Sequence, residues 1–322
     1  VVATPVVNGK RPPIWELVRD FDASGAGSRA YATAQALYPI CRSITGDGLR
    51  QSLQLLRDAV PLEVHEVPTG TPVFDWTVPP EWNIRDAYIK NSKGERIVDF
   101  RRHNLHVLNY SVPISRTMSL QELRPHLYSA PETPEWIPYR TSYYREAWGF
   151  CLSPHQLEPL PAGDSEVRID STLAPGGLSY GEYRLDGDTD DEVLISCHSC
   201  HPSLANDNLS GMTVAAELAR ALGDAQLRYS YRFIWLPATI GAITWLARNE
   251  HLLSRIRHGL VLSCVGDPGR FTYKRSRRGH ADIDRAVEHV LRSSGHPMEI
   301  RDFVPYGYDE RQYCSPGINL PV

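Results

Sequence analysis

Residues 193–222 of the chain read VLISCHSCHPSLANDNLSGMTVAAELARAL, and this stretch decides the fold class. Its first three residues form a short apolar run rich in β-branched side chains, which predicts a buried strand. From Gly211 onward, apolar residues recur at helical spacing and predict a helix as far as Leu222. Histidines, thiols and a carboxylate therefore lie where a strand gives way to a helix, which is where open α/β sheets collect their ligands.

The rest of the chain divides into three regions with different sequence patterns. Residues 15–62 have helical apolar spacing, whereas residues 66–150 carry many prolines between short alternating runs such as 105–110, which predict strands. Strand and helix patterns alternate from about residue 166. We therefore predict an α/β fold with a mixed, mostly parallel sheet flanked by helices and a smaller inserted β-rich domain. The expected division is an N-terminal helical part of the main domain at 1–65, the insert at 66–154 and the main α/β domain at 155–322.

Composition narrows the class of protein. The 322 residues are 42% hydrophobic, which is typical of a folded globular chain, and the formal net charge of −4 argues against nucleic acid as a partner. The most apolar stretch, 233–247, contains Pro237 and is too short to span a bilayer, so we expect no membrane partner. The first residues lack the pattern of an intact signal peptide. Six cysteines are too sparse for a disulfide scaffold, so we expect reduced thiols and a cytoplasmic location.

Three kinds of site fit the cysteines and histidines of residues 197–201. The segment matches the C-x-x-C-H pattern of covalent haem attachment, but it lies inside a long α/β chain rather than a small helical module. A redox C-x-x-C pair needs its cysteines at a helix N-terminus, and here Pro202 and an Asn-Asp-Asn loop intervene. A hydrolytic zinc site needs imidazole and carboxylate ligands with one position left for water. The third interpretation fits best.

The candidate zinc ligands come from several strand ends. His198 directly follows the predicted strand, and His201 lies three residues later, so spacing does not decide which of the two binds. Asp207 follows one short loop further on and is placed to bridge to a second metal ion. Asp267 and the Asp309-Glu310 pair follow later predicted strands. We predict a metal site built from residues of this set: His198, His201, Asp207, Asp267 and Glu310.

Several phrases of this chain resemble those of the co-catalytic zinc aminopeptidases related to aminopeptidase Y. The histidines with residues 206–211 look like that family's first two ligand segments, and residues 233–241, 265–267 and 309–313 follow in its order. The whole chain is more closely similar to the aminopeptidase-like proteins associated with polysaccharide-biosynthesis loci. The phrases that carry this closer likeness are FDWTVP at 74–79, CHPS at 200–203 and DERQYCSPG at 309–317.

The departures from this family shape the expected function. Ala238 stands where the resemblance implies the general-base glutamate, and Thr239 stands where it implies a glutamate ligand. Glu310 replaces the terminal histidine. The resemblance therefore implies one zinc ion rather than two, with Glu310 as the remaining catalytic acid or base. We expect a zinc-dependent aminopeptidase-like hydrolase that acts on an amide or peptide bond next to a free amino group, in a small-molecule or peptide substrate. The alternative is a catalytically degenerate protein that binds a peptide or amino sugar.

Overall fold

A computed structural model of the protein describes residues 11–322. Its helices are α1 (Ile14–Arg19), α2 (Ala23–Leu37), α3 (Asp47–Leu56), α4 (Leu120–Leu123), α5 (Pro154–Leu157), α6 (Gly211–Leu222), α7 (Ile240–Arg248), α8 (Asp282–Ser293) and α9 (Glu310–Tyr313). Its strands are β1 (Glu63–Pro68), β2 (Pro72–Val73), β3 (Trp76–Thr77), β4 (Glu81–Lys90), β5 (Arg96–Asp99), β6 (Ile114–Ser119), β7 (Leu127–Tyr128), β8 (Phe150–Cys151), β9 (Asp164–Ala174), β10 (Gly177–Leu185), β11 (Glu192–His198), β12 (Ser230–Leu236), β13 (Ile256–Val261), β14 (Phe271–Lys274) and β15 (Met298–Arg301). None of the helices within this range has the length and apolar character that crossing a bilayer requires.

The main sheet has five strands in the order β1-β10-β12-β11-β13. Strands β11, β12 and β13 are parallel to one another, and β10 is antiparallel to both of its neighbours. Four of the five strands therefore point the same way, and the predicted mixed, mostly parallel sheet is confirmed. His198 pairs in register with Leu236, so β11 and β12 end at the same edge of the sheet. The loops that leave these strands consequently meet at one place.

Helices cover both faces of this sheet because its central strands are apolar on both sides. Every residue of β11 is buried. Helix α6 packs on one face through residues spaced three or four apart, and α2 and α3 contribute to the same core cluster. Helix α7 lies in the core cluster of the other face. The residues that α6 buries are Gly211, Met212, Thr213, Ala215, Ala216, Ala219 and Leu222.

A second sheet, in the order β5-β4-β9-β6, has its own hydrophobic cluster. All of its pairings are antiparallel. Strand β9 is the last strand of this sheet in chain order, and a two-residue connection leads from it into β10 of the main sheet. The proposed domain boundaries stay a prediction.

The predicted strand over residues 105–110 is wrong. Residues 104–106 form a short 3-10 turn, and the extended residues that follow pair with different segments. The amide of Leu108 donates to the carbonyl of Gly149, and the amide of Asn109 donates to that of Arg140. All six residues 105–110 are buried, and their backbone pairs with separate segments rather than with one continuous strand.

A buried ion-pair network joins the three central strands of the main sheet near the start of β11. Arg232 on β12 donates to both carboxylate oxygens of Glu192 at 2.6 and 2.8 Å, and it also pairs with Glu182. Glu192 is completely buried and keeps one other partner, Arg184, at 3.2 Å. Burial acts to raise the pKa of Glu192, but the bonds from Arg232 outweigh it and hold that pKa below its ordinary value.

Replacing Arg232 by methionine should lower the free energy of unfolding by about 3 kcal/mol, because Glu192 would keep its buried charge and lose its main partner. Chemical denaturation monitored by circular dichroism measures this change. Arg19, which forms an exposed pair with Asp20, is the control, and its replacement by methionine should leave the denaturation midpoint in place. An Arg232→Met midpoint equal to that of the parent would contradict the expected role of the network.

Candidate metal centre

The turn between β11 and α6 positions the candidate ligands. Residues 205–210 form a wide helical turn in which Asp207 and Asn208 depart from helical dihedral angles. The side chain of Asn208 donates to the carbonyls of His198 (3.2 Å) and Leu262 (3.0 Å) and accepts from the amide of Cys264 (3.1 Å). This buried amide therefore ties the end of β11 to the loop after β13. Gly211 follows because a Cβ there would lie 2.4 Å from the carbonyl oxygen of Leu262.

Two imidazoles and one carboxylate converge at the end of β11. His198, His201 and Asp207 each present a ligand atom, and these atoms all lie within 4.8 Å of one another. Nε2 of His198 lies 2.7 Å from Oδ1 of Asp207, and Nε2 of His201 lies 3.8 Å from Oδ2. Within residues 11–322, this is the group of histidine, cysteine, aspartate and glutamate side chains that is close enough to hold a metal ion.

The charge states of the three groups suit a cation. Burial and the electrostatic interaction with the His198 imidazole lower the pKa of His201 to about 3, so its ring is neutral at physiological pH. Burial acts to raise the pKa of Asp207, but the hydrogen bond from His198 and the neighbouring imidazoles outweigh it. The pKa of Asp207 therefore lies below its ordinary value. The site consequently offers one ionised carboxylate and a lone pair on His201.

Aromatic rings hold both imidazoles in place. Tyr308 stacks on His198 with centroids 5.0 Å apart and planes 11° apart. The hydroxyl of Tyr308 also lies 3.3 Å from the sulfur of Cys264, in the loop after β13. Tyr139, from the proline-rich segment, lies 4.9 Å from the ring of His201. The two histidines therefore have restricted ring orientations before any ligand arrives.

Asp267 and Glu310 lie outside this group of three. The carboxylate of Asp267 is exposed and accepts from the side chain of Asn206 at 2.7 Å and from the amide of Gly269 at 2.7 Å. Glu310 is buried at the start of α9 and forms an ion pair with Lys274 of β14. Their part in a zinc shell stays a prediction, and binding by Glu310 would require it to leave Lys274.

The segment after β12 carries the two residues that depart from the expected pattern. The amide of Ala238 donates to the sulfur of Cys200 at 3.3 Å, which places this backbone beside the His201 segment. Thr239 has a φ of +64°, a left-handed conformation that β-branched residues rarely adopt and that is concentrated at functional sites. Its amide donates to Oδ1 of Asp309 at 2.7 Å, and its hydroxyl accepts from Arg311 at 3.0 Å.

Asp309 is a second carboxylate at this edge of the sheet. It is 1% exposed, and its Oδ2 has no hydrogen-bond partner among residues 11–322. Burial raises the pKa of Asp309 to about 6, although the electrostatic interaction with the His198 imidazole and the hydrogen bond from the amide of Thr239 act in the opposite direction. The carboxyl group is therefore half-ionised near pH 6 and mostly ionised at neutral pH.

Replacing Asp309 by asparagine should stabilise the metal-free protein at pH 8 by on the order of 3 kcal/mol. The folded state binds a proton at Asp309 more tightly than the unfolded chain does. This carboxyl therefore contributes no penalty below about pH 4 and an increasing penalty up to about pH 6. Denaturation at pH 4 and pH 8, with a chelator present, measures the difference. An equal gain at both pH values would contradict the expected ionisation.

The three converging residues fit zinc. Two imidazole nitrogens and one carboxylate are a ligand set of hydrolytic zinc sites, which leave a fourth position for water. The amide of Asn208 faces Nδ1 of His198 at 3.3 Å, so Nε2 carries the proton that donates to Asp207. A metal at Nε2 would displace this proton, and affinity should therefore depend on pH. Ligand atoms about 2.0–2.2 Å from a tetrahedral zinc ion lie about 3.3 Å apart, so closing separations of up to 4.8 Å requires side-chain shifts of about 1 Å.

Some residues that build the site have no clear signal in the sequence. The three backbone contacts of Asn208 have no local signal beyond its place beside Asp207. Tyr308 directly precedes the Asp309-Glu310 pair, and no local pattern indicates that it stacks on His198. Arg42 donates from Nε and Nη2 to the carbonyl of His201 at 3.2 and 2.8 Å, across 159 residues of sequence, and no local pattern announces such a contact.

Comparisons with known proteins extend this description. A family model described as "Domain of unknown function (DUF4910)" matches residues 31–322. A Clostridium acetobutylicum protein named for polysaccharide biosynthesis and an aminopeptidase-like domain is 52% identical over 301 residues, covering 94% of this chain and 69% of that protein. A crystal structure from the same organism, described as a peptidase, has 52% identity and a TM-score of 0.91, covering 92% of this chain and 70% of that one.

A more distant solved structure has the same fold. BSAP, a zinc aminopeptidase from Bacillus subtilis, aligns with a TM-score of 0.62 at 14% identity. The alignment covers 93% of this chain and 84% of that one. The expected zinc-aminopeptidase-like fold is confirmed. The resemblance to aminopeptidase-like proteins associated with polysaccharide biosynthesis is confirmed by the Clostridium acetobutylicum relative.

Proposed function

The chain belongs to the family of the domain of unknown function DUF4910, and from this premise we propose that it is a zinc-dependent aminopeptidase-like hydrolase. Its substrate would carry an amide or peptide bond next to a free amino group. The observation that carries this proposal is the convergence of His198, His201 and Asp207 at the end of β11. The fold shared with a zinc aminopeptidase supports it.

Different residues of the site are proposed to bind the metal and to transfer protons. His198, His201 and Asp207 would hold one zinc ion, which when bound polarises a carbonyl and lowers the pKa of a water molecule. Asp207 contributes the negative charge, and Asn208 fixes its backbone against the ends of β11 and β13. Glu310 is the proposed proton acceptor and donor once it is released from Lys274. Ala238 contributes no carboxylate, so we expect low turnover.

Zinc content and aminoacyl-amide hydrolysis test this function together. Protein purified without chelators should contain about one zinc ion per chain by elemental analysis. It should also hydrolyse aminoacyl 4-nitroanilides slowly, with a rate that falls after dialysis against a chelator and returns with zinc. Negligible zinc in the purified protein, together with no uptake on titration, would overturn the proposal.

A second candidate function is ligand binding without turnover. The methyl group of Ala238 and the ion pair that holds Glu310 favour it, because neither group accepts a proton from water in this arrangement. Zinc binding with no detectable hydrolysis, together with saturable binding of an aminoacyl amide, would support this candidate. Turnover by the parent chain would exclude it.

The Clostridium acetobutylicum relative is named for polysaccharide biosynthesis, and we propose from this that an amino sugar carries the amide. Comparing hydrolysis of aminoacyl-glucosamine with that of a dipeptide of the same amino acid tests this choice.

We propose a cytoplasmic location from the sparse cysteines, all six of which are free thiols.

A further inference from the structure

Arg42 is a completely buried arginine between two helices and the candidate metal centre. Nη1 donates to the carbonyl of Leu37 at the end of α2 (2.6 Å) and lies 3.5 Å from the hydroxyl of Ser52 on α3. Nε and Nη2 both donate to the carbonyl oxygen of His201. One guanidinium therefore joins the N-terminal helices to the backbone of a candidate zinc ligand.

The environment of this guanidinium is unusual because it lacks a counter-charge. Within residues 11–322, no carboxylate lies within 4.0 Å of it. Burial accordingly lowers the pKa of Arg42 to about 10. Arg232, which is also buried, pairs by contrast with Glu192 and Glu182. Burying a charge without a paired charge is unfavourable, so the carbonyl contacts of Arg42 oppose a substantial desolvation penalty.

The segment that presents His201 has a second attachment to the rest of the protein, at Ser203. Ser203, two residues further on, has a φ of +47° and donates its hydroxyl to the carbonyl of Tyr38 at 2.9 Å. Asn104 donates to the same hydroxyl at 2.8 Å. Residues 201–203 are thus attached at two points to the rest of the protein, and Arg42 provides the attachment at the histidine itself.

We propose that Arg42 is a positioning residue of the metal centre: its two donors on the carbonyl of His201 fix the backbone so that the imidazole faces Asp207. This inference rests on the proposed zinc function. A planar fork suits this task because two nitrogens reach one oxygen while the third reaches Leu37. The single ammonium of lysine does not reproduce that geometry.

Zinc affinity tests the proposal without any use of turnover. Arg42→Lys and Arg42→Met are compared with the parent by competition with a chromogenic zinc chelator. Loss of an outer partner of a zinc ligand typically weakens metal affinity by about 10- to 100-fold, and we expect Arg42→Lys near the lower limit. Arg232→Met is the matched control, because it also removes a buried arginine and should leave zinc affinity at the parent value.

A double-mutant cycle separates positioning from general support of the fold. In a His201→Ala background, Arg42→Lys should cause no further loss of zinc affinity, because the ligand that it positions is absent. An equal loss in both backgrounds would overturn the proposal. If Arg42→Met does not fold, Arg42→Lys decides alone, and a parent-like affinity overturns the role of Arg42. A parent that binds no zinc overturns the proposed function as well.

Discussion

Replacing Asp207 by asparagine is expected to weaken zinc binding by about a thousandfold. Asp207 is the one carboxylate among the three converging residues, and it lies within hydrogen-bond or ion-pair range of both imidazoles. Structural zinc sites with four ligands bind with roughly 10–16 kcal/mol, so one ligand accounts for about 2.5–4 kcal/mol, and we expect the upper value for the charged ligand. Asparagine keeps the oxygen that accepts from His198, so the loss reports the missing charge rather than a collapsed turn. Chelator competition measures the affinity.

Asp284→Asn is the control for this experiment. Asp284 is a buried carboxylate on α8, and it accepts from Tyr273 and Ser276, away from the end of β11. Its replacement should lower stability and leave zinc affinity at the parent value. Asp207→Asn protein with parent-like zinc affinity would show that the ion binds elsewhere. Asp267→Asn, measured in the same series, tests the prediction that Asp267 is a ligand.

Replacing Ala238 by glutamate is expected to raise the rate of amide hydrolysis by about 100- to 10,000-fold. General-base assistance typically contributes this much, and the resemblance to zinc aminopeptidases implies a glutamate at this position. The backbone of Ala238 already lies beside the His201 segment, because its amide donates to the sulfur of Cys200. Steady-state kinetics with aminoacyl 4-nitroanilides, at saturating zinc, measures the change.

Ala238→Gln is the matched control, since glutamine has nearly the same size and does not accept a proton from water at neutral pH. It should leave the rate at the parent level. Equal rates for the glutamate and glutamine variants would contradict a general-base role at position 238. A glutamate variant that binds zinc and remains without turnover would instead favour the ligand-binding candidate.

The sequence predicted the parts of the fold that depend on local periodicity. Helix α6 has the bounds that its apolar spacing indicated, Gly211 to Leu222, because a helix packed on a sheet must repeat its buried residues every three or four positions. Residues 105–110 have an alternating pattern as well, but their partners lie in separate segments of the chain, and alternation carries no information about partners. The sequence pattern therefore predicted α6, which packs on a single sheet, and failed for residues 105–110, which have several partners.

In the candidate site, too, the sequence predicted the local contacts and not the long-range ones. His198, His201 and Asp207 lie within ten residues of one another, so a single strand-to-helix turn brings them together. The ion pair of Glu310 with Lys274 and the contact of Arg42 with His201 join distant segments, and they depend on how β14, α3 and β11 pack. Long-range packing of this kind leaves no periodic signal in the sequence.

Anomalous diffraction from zinc-soaked crystals tests the central claim most directly. Data collected on both sides of the zinc absorption edge should give one strong peak about 2.0–2.2 Å from an imidazole nitrogen of His198, an imidazole nitrogen of His201 and a carboxylate oxygen of Asp207. A map without a peak at the end of β11, or with its strongest peak bound to other residues, would contradict the account.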